Sequence, residues 1–224
     1  MSSIVYWVTI PEDPSSNRME ELSSVVDGFG CGPVELWSAA DPGSIHGHFA
    51  DYLNSYSKAL TYAHHQIWTT VVEKNLDYVI VLEDNIRIHK ESVADVKEFL
   101  HHHIVSLDPE WDAVFLNASE RATPPGEWVK ANNQCLSGAY VLSKRGAEFL
   151  IKSFPKQNTL YMADWMTQVL QQRQHSYTRF PWPVIMDLDL PTSFPRFEKD
   201  QEKPIMEKVS KLLKESNLTI SDYV

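Results

Sequence analysis

The sequence predicts an α/β fold: a mixed, mostly parallel sheet with helices packed on both faces. Three observations carry this. Short β-branched and aromatic runs alternate with stretches of helical spacing over roughly the first 150 residues. Gly and Pro punctuate the connections between them. The most apolar run, Tyr78-Val79-Ile80-Val81-Leu82, is nearly continuous, as a strand buried on both faces must be.

In chain order, Ile4 to Ile10 is β-branched and aromatic and reads as a buried strand, broken by Pro11 to Pro14. Ser15 and Ser16 can cap a helix over Asn17 to Val26, with Glu20 and Glu21 early in it. Gly28, Gly30, Gly32 and Pro33 end it, and Val34 to Trp37 is a second short strand. From Asp51 to Glu73, Leu53, Tyr56, Leu60, Ala63, Ile67 and Val71 recur three or four apart, which predicts a helix. Tyr78 to Leu82 follows as a strand and ends abruptly in Glu83-Asp84-Asn85. Ser92 to Ile104 reads as a helix, Trp111 to Leu116 as a strand, Gly138 to Leu142 as a strand and Lys144 to Phe154 as a helix. Met162 to Gln174 is helical in spacing. The stretch from Arg179 to Pro195 has prolines at 181, 183, 191 and 195, with Pro204 soon after, and should be irregular or an edge. Residues 196–224 form a helical tail, with Ile205, Val209, Leu212 and Leu213 on one face. The whole, 1–224, fits one domain.

Composition excludes some roles. Twenty Lys and Arg against 30 Asp and Glu give a net charge of −10. Such a chain does not suit sequence-independent nucleic-acid binding, which needs cations to displace phosphate counterions, or docking on an anionic membrane. Two cysteines are too few for a disulfide framework. The run from Ile4 to Ile10 is too short for a secretory signal, and no run approaches the roughly 20 apolar residues of a membrane span. These features predict a cytoplasmic protein. An anionic substrate would then need local positive charge.

Glu83-Asp84-Asn85 is the leading candidate for supplying it. Ligands of open α/β sheets bind beyond the carboxyl ends of the strands. Two carboxylates and an amide oxygen there are hard donors, suited to Mg²⁺ or Mn²⁺ rather than Zn²⁺ or copper. A polar strand end entering a turn is the plain alternative.

Four separated segments resemble glycosyltransferase family 25, the lipopolysaccharide and collagen galactosyltransferase group. They are Asn17-Arg18-Met19 after the first strand, Ala63-His64-His65-Gln66-Ile67-Trp68, Val79 to Asn85, and Gly138 to Ala147. These are similar to the family's arginine-bearing first loop and helix, its Ser-His-x-x-x-Trp helix, its apolar strand ending in Glu-Asp-Asp, and its Gly-x-x-Tyr-x-x-Ser-x-x-Gly-Ala strand-to-helix segment. Asp164 sits where the family has an aspartate. The resemblance covers about residues 4–170. It implies the GT-A fold of nucleotide-diphospho-sugar transferases, a UDP-sugar donor and Mn²⁺ (or Mg²⁺). The chain departs from the pattern at Asn85, which stands in place of an aspartate, and at Ala63, in place of a serine.

The implied activity is a metal-dependent, inverting hexosyltransferase of glycan biosynthesis, moving galactose or glucose to a glycan, lipid-linked or protein acceptor. Asp84 and Asn85 are then the metal ligands, with His175 approaching from the far side. Glu83 either joins them or steers the sugar. Asp164 is the candidate base, because an attacking hydroxyl must lose its proton; a plain helix-start residue is an equal reading. Thr9, Ile10 and Pro11 are placed to meet the nucleotide; Arg18 could meet phosphate or hold that loop, and a loop cap or surface ion pair is an equal reading. Among the other histidines, His64 reads as a residue packed or bonded behind the site. His101, His102 and His103 point too far apart on a helix to converge on one ion. Trp128, Trp165 and Trp182 could stack on an acceptor sugar or simply pack. A catalytically silent binding protein of the same fold is the competing reading, and Asn85 supports it.

Overall fold

The structure, a computed structural model, describes residues 2–9, 16–41, 45, 47–117, 120–132, 134, 137–187 and 199–224, and the backbone alone at 16–21, 199–203, 205 and 206. Strands β1 (Ser3–Thr9), β2 (Val34–Ser38) and β3 (Tyr78–Glu83) run parallel in the order β2-β1-β3. The helix α1 (Ser16–Asp27) connects β1 to β2, and α2 (Ser55–Glu73) precedes β3. Two-residue alternation along β1 decides the layers. Val5 and Trp7 face one core; Ile4, Tyr6 and Val8 face the other.

A short strand β4 (Ile86–Ile88) follows the Glu83-Asp84-Asn85 turn. The helix α3 (Ser92–Glu98) continues through a π-turn (Phe99–His103) into α4 (Ile104–Leu107). Val93, Val96, Phe99, Leu100 and Ile104 join Val5, Trp7, Ile80 and Leu82 in one core. On the opposite face, Ala63, Ile67, Trp68 and Val71 of α2 pack with Tyr6, Val79 and Val81.

The sheet continues through β5 (Ala113–Phe115), β6 (Val129–Lys130), β7 (Ala139–Ser143) and β8 (Ser176–Thr178). Its full order is β2-β1-β3-β7-β5-β8-β6. β7 runs antiparallel to both β3 and β5, β8 runs parallel to β5, and β6 antiparallel to β8. Five of the seven strands therefore point one way, the mixed but mostly parallel arrangement the sequence predicts. A two-stranded sheet pairs β4 with β9 (Val184–Met186). β9 lies within the proline-rich stretch expected to be irregular or an edge, and the irregular part is limited to its flanks among the described residues.

The helix α5 (Lys144–Ser153) starts where Ser143 caps it, its side chain accepting from the Gly146 backbone N–H. Gly146 is there because the helix lies close to β5. A Cβ at that position would sit 2.4 Å from the Asp112 carbonyl oxygen. Gly146→Ala should therefore lower stability by about 1–3 kcal/mol, the usual cost of overpacking, read by chemical denaturation. The predicted helix from Met162 to Gln174 is α-helical only over α6 (Ala163–Gln168), then tightens to a 3₁₀ turn (Val169–Arg173) ended by left-handed Gln174.

The C-terminal helix α7 (Lys199–Glu215) is longer than its predicted apolar stripe. Val209 and Leu213 pack with Phe180, Trp182, Ile185 and Tyr223 in a separate small cluster over the two-stranded sheet. No helix among the described residues is long and apolar enough to cross a membrane.

Candidate functional site

The carboxyl ends of β1 and β3 lie side by side, with Val8 level with Glu83. Thr9 ends β1 and is buried; its hydroxyl donates to Asp84 Oδ2 at 3.4 Å. Asp84 is fully buried in the turn after β3, and Asn85 nearly so. Asn85 Oδ1 is buried without a hydrogen-bond partner. A buried orphan oxygen is costly unless something outside the protein satisfies it. Among the described residues, no cluster of three or more His, Cys, Asp or Glu could hold a metal by itself. The donor set here is one carboxylate and one amide oxygen. It fits a hard divalent cation that takes its remaining ligands from outside the protein, the way Mg²⁺ is commonly held.

Glu83 points elsewhere. Its Oε1 lies 3.2 Å from His64 Nε2, and its backbone N–H donates to the Gly138 carbonyl. His64 Nδ1 is 2.8 Å from the Tyr140 hydroxyl, and that hydroxyl also accepts from Trp68 Nε1 at 2.9 Å. His64 and Trp68 stand four apart on α2, so both reach the same atom on β7.

Asp164, in the first turn of α6, is tied to the same edge. Its Oδ1 accepts from the Ser137 backbone N–H at 2.6 Å and from the Ser137 hydroxyl at 2.5 Å. Burial pushes its carboxyl up to about 6, and the nearby Glu83 charge pushes in the same direction; the two Ser137 bonds and His64 oppose them. A buried carboxyl of raised proton affinity is a candidate for acid–base work.

Of the other candidates, Ile10 and Pro11 lie outside the described residues, and Arg18 contributes only helical backbone to the description. His175 does not join the site. Its carbonyl accepts from Asp112 N–H, and the Asp112 carbonyl in turn accepts from Ser143, which pairs with Tyr78. That places His175 level with the start of β3, six residues of strand from Asp84, roughly 20 Å at about 3.3 Å per residue. Its Nδ1 lies 2.8 Å from Asp108, which Tyr177 also binds. The expectation failed because the direction of β8 cannot be read from the residues after a helix.

The histidine run lies in the π-turn, where His103 pairs with Glu98. Trp128 stacks on Phe99 at 4.3 Å, and Trp182 is buried in the small C-terminal cluster, so both serve packing. Trp165 is 60% exposed beside Asp164, its ring 5.4 Å from that of Tyr161. Tyr161 also lines an open cavity of about 510 Å³ with His48, Ser153, Gln157, Asn158 and Thr159.

The fold supplies three residues that were not among the sequence candidates: Tyr140, Ser137 and Gly138. Tyr140 and Gly138 lie in the Gly-x-x-Tyr segment already singled out. A Cβ on Gly138 would sit 3.2 Å from Asn117 Nδ2 and 3.3 Å from Met186, a tight fit against the neighbouring strand end.

Glu83, Asp84 and Asn85 thus stand at the carboxyl end of a central strand of a mixed α/β sheet, where open α/β sheets bind their ligands. The family described as "Glycosyltransferase family 25 (LPS biosynthesis protein)" matches residues 48–167, more than half of the chain, so the chain belongs to glycosyltransferase family 25. A curated relative from Bos taurus, "Probable inactive glycosyltransferase 25 family member 3", is 28% identical over 129 residues, which are 54% of this chain and 22% of that protein's length. The chain thus spans under a quarter of that relative. A solved structure, "Crystal structure of a glycosyltransferase involved in the glycosylation of the major capsid of PBCV-1", superposes with a TM-score of 0.44 at 8% identity, covering 95% of this chain and 98% of its own.

Proposed function

We propose that the chain is a metal-dependent, inverting hexosyltransferase, moving galactose or glucose from a UDP-sugar to a hydroxyl of a glycan, lipid-linked or protein acceptor. One observation supports the reading: buried Asp84 with the orphan Asn85 Oδ1, and a carboxyl of raised proton affinity (Asp164), lie toward the same end of the sheet. In this reading Asp164 takes the acceptor proton as the oxygen attacks the anomeric carbon. The bond from that carbon to the diphosphate breaks, and UDP leaves with the electron pair. Ser137 holds Asp164 Oδ1, which leaves Oδ2 for the acceptor. Asp84 and Asn85 would hold Mn²⁺ or Mg²⁺, which supplies Lewis-acid charge to the leaving diphosphate. Glu83, engaged by His64, is assigned to steering the sugar. Thr9 lines the donor side.

The competing reading, a silent member of the family, has two supports: Asn85 in place of an aspartate, and a relative named as probably inactive. UDP release from a panel of UDP-hexoses with Mn²⁺ separates the two. Turnover with at least one donor is the expected outcome; none with any donor, at protein concentrations that bind UDP, favours the silent reading.

Trp165 extends the proposal to the acceptor. An exposed indole one residue from the base can stack on a pyranose ring. Trp165→Ala should raise the acceptor KM roughly 2- to 12-fold, the range of a stacking contact worth about 0.5–1.5 kcal/mol, while donor hydrolysis is unchanged. Equal loss in both rates would instead mark Trp165 as structural.

A further inference from the structure

Behind the acidic turn, three buried side chains that the transfer chemistry does not use directly lead in a line to Glu83. Trp68 Nε1 is a donor only, and it donates to the Tyr140 oxygen. The Tyr140 hydroxyl has a single proton, and its other neighbour is His64 Nδ1 at 2.8 Å. For that proton to have a partner, Nδ1 must carry none. A neutral ring then has its proton on Nε2, 3.2 Å from Glu83 Oε1. Every donor in the chain points one way, from Trp68 through Tyr140 and His64 to Glu83. The opposite tautomer would strand the Tyr140 proton and set a nitrogen lone pair against a carboxylate oxygen, two acceptors face to face in a buried site. Stacking of the His64 and Tyr140 rings, 5.7 Å apart and 20° from parallel, fixes the ring plane as well. His64, Trp68 and Tyr140 are fully buried, so no water competes.

We infer that His64 is a positioning residue: Trp68 and Tyr140 lock it as the Nε2–H tautomer, and it holds one oxygen of Glu83 so that the other is presented to the transferred sugar. This rests on the transferase reading for the role of Glu83, but the lock itself does not. Among the described residues Glu83 has no second side-chain partner, so His64 alone sets its orientation.

Two measurements on the full chain test it. The first is ¹⁵N NMR of histidine-labelled wild type, which distinguishes the tautomers without any turnover. The His64 ring should show a protonated Nε2 and an unprotonated, hydrogen-bonded Nδ1; a protonated Nδ1 at neutral pH overturns the proposal. The second is kinetic. The amide nitrogen of Gln reaches about where His Nε2 stands and that of Asn where Nδ1 stands. His64→Gln should therefore keep kcat within about 3-fold of wild type, and His64→Asn should lose the roughly 10- to 100-fold typical of a supporting hydrogen-bond partner. The donor KM and thermal midpoint should be alike in the two variants. Equal kcat losses in both overturn the positioning role. If wild type turns over no donor, the transferase reading fails while the NMR result still decides the lock.

Discussion

Asp164→Asn should abolish transfer while making the protein more stable. A general base contributes about 10²–10⁴-fold, so kcat should fall by at least about 100-fold, with donor KM little changed. The acid limb of the wild-type kcat profile should fall away below a midpoint near 6, where the Asp164 carboxyl takes up its proton. The stability effect follows from the same burial. The folded carboxyl binds its proton more tightly than an unfolded one, so the folded state loses stability as pH rises between about 4 and 6 and stays burdened above that. Asn keeps the oxygen that Ser137 binds but never ionises. At pH 7.5 the variant should melt at least about 2 °C higher, the shift that about 1 kcal/mol produces in a chain of this size; at pH 4 the gain should vanish. A variant that is inactive and equally destabilised at both pH values would mark Asp164 as a structural residue.

The second large effect is expected at Asn85. Asn85→Asp restores the acidic triplet that the family resemblance implies, but it places a further charge beside buried Asp84 and near Glu83. Without metal, three crowded carboxylates should lower the thermal midpoint by several degrees, since adding a like charge beside buried carboxylates is destabilising. Millimolar Mn²⁺ should restore it, because a ligand bound only by the folded state stabilises that state. Mn²⁺ affinity should rise by about 10-fold or more, as metal affinity follows ligand charge. Titration calorimetry and thermal melts with and without Mn²⁺ measure both. A midpoint indifferent to Mn²⁺ in both proteins would separate the acidic turn from metal binding.

Much of this arrangement was legible in the sequence because it is local. The run from Tyr78 to Leu82 could only be a doubly buried strand, and Glu83, Asp84 and Asn85 then had to lie at its carboxyl end. The Gly138 to Ala147 segment also resolves into local reasons. Gly138 admits Asn117, Ser143 caps a helix, and Gly146 lets that helix approach Asp112. Tyr140 was not assigned a role because its partners, His64 and Trp68, lie more than 70 residues away in sequence. Strands of two or three residues, such as β4, β6 and β8, are too short to show any period. That same gap misplaced His175, whose position depends on which way β8 runs.

The donor side rests on one geometric claim, that a divalent ion and a nucleoside diphosphate meet at Asp84 and Asn85. A crystal soaked with Mn²⁺ and UDP, with data collected at a wavelength where manganese scatters anomalously, tests it directly. The expected result is a manganese peak within bonding distance of an Asp84 oxygen and of Asn85 Oδ1, bridged to the diphosphate. UDP bound with its manganese elsewhere on the sheet edge, or bound with no manganese at that turn, would contradict it.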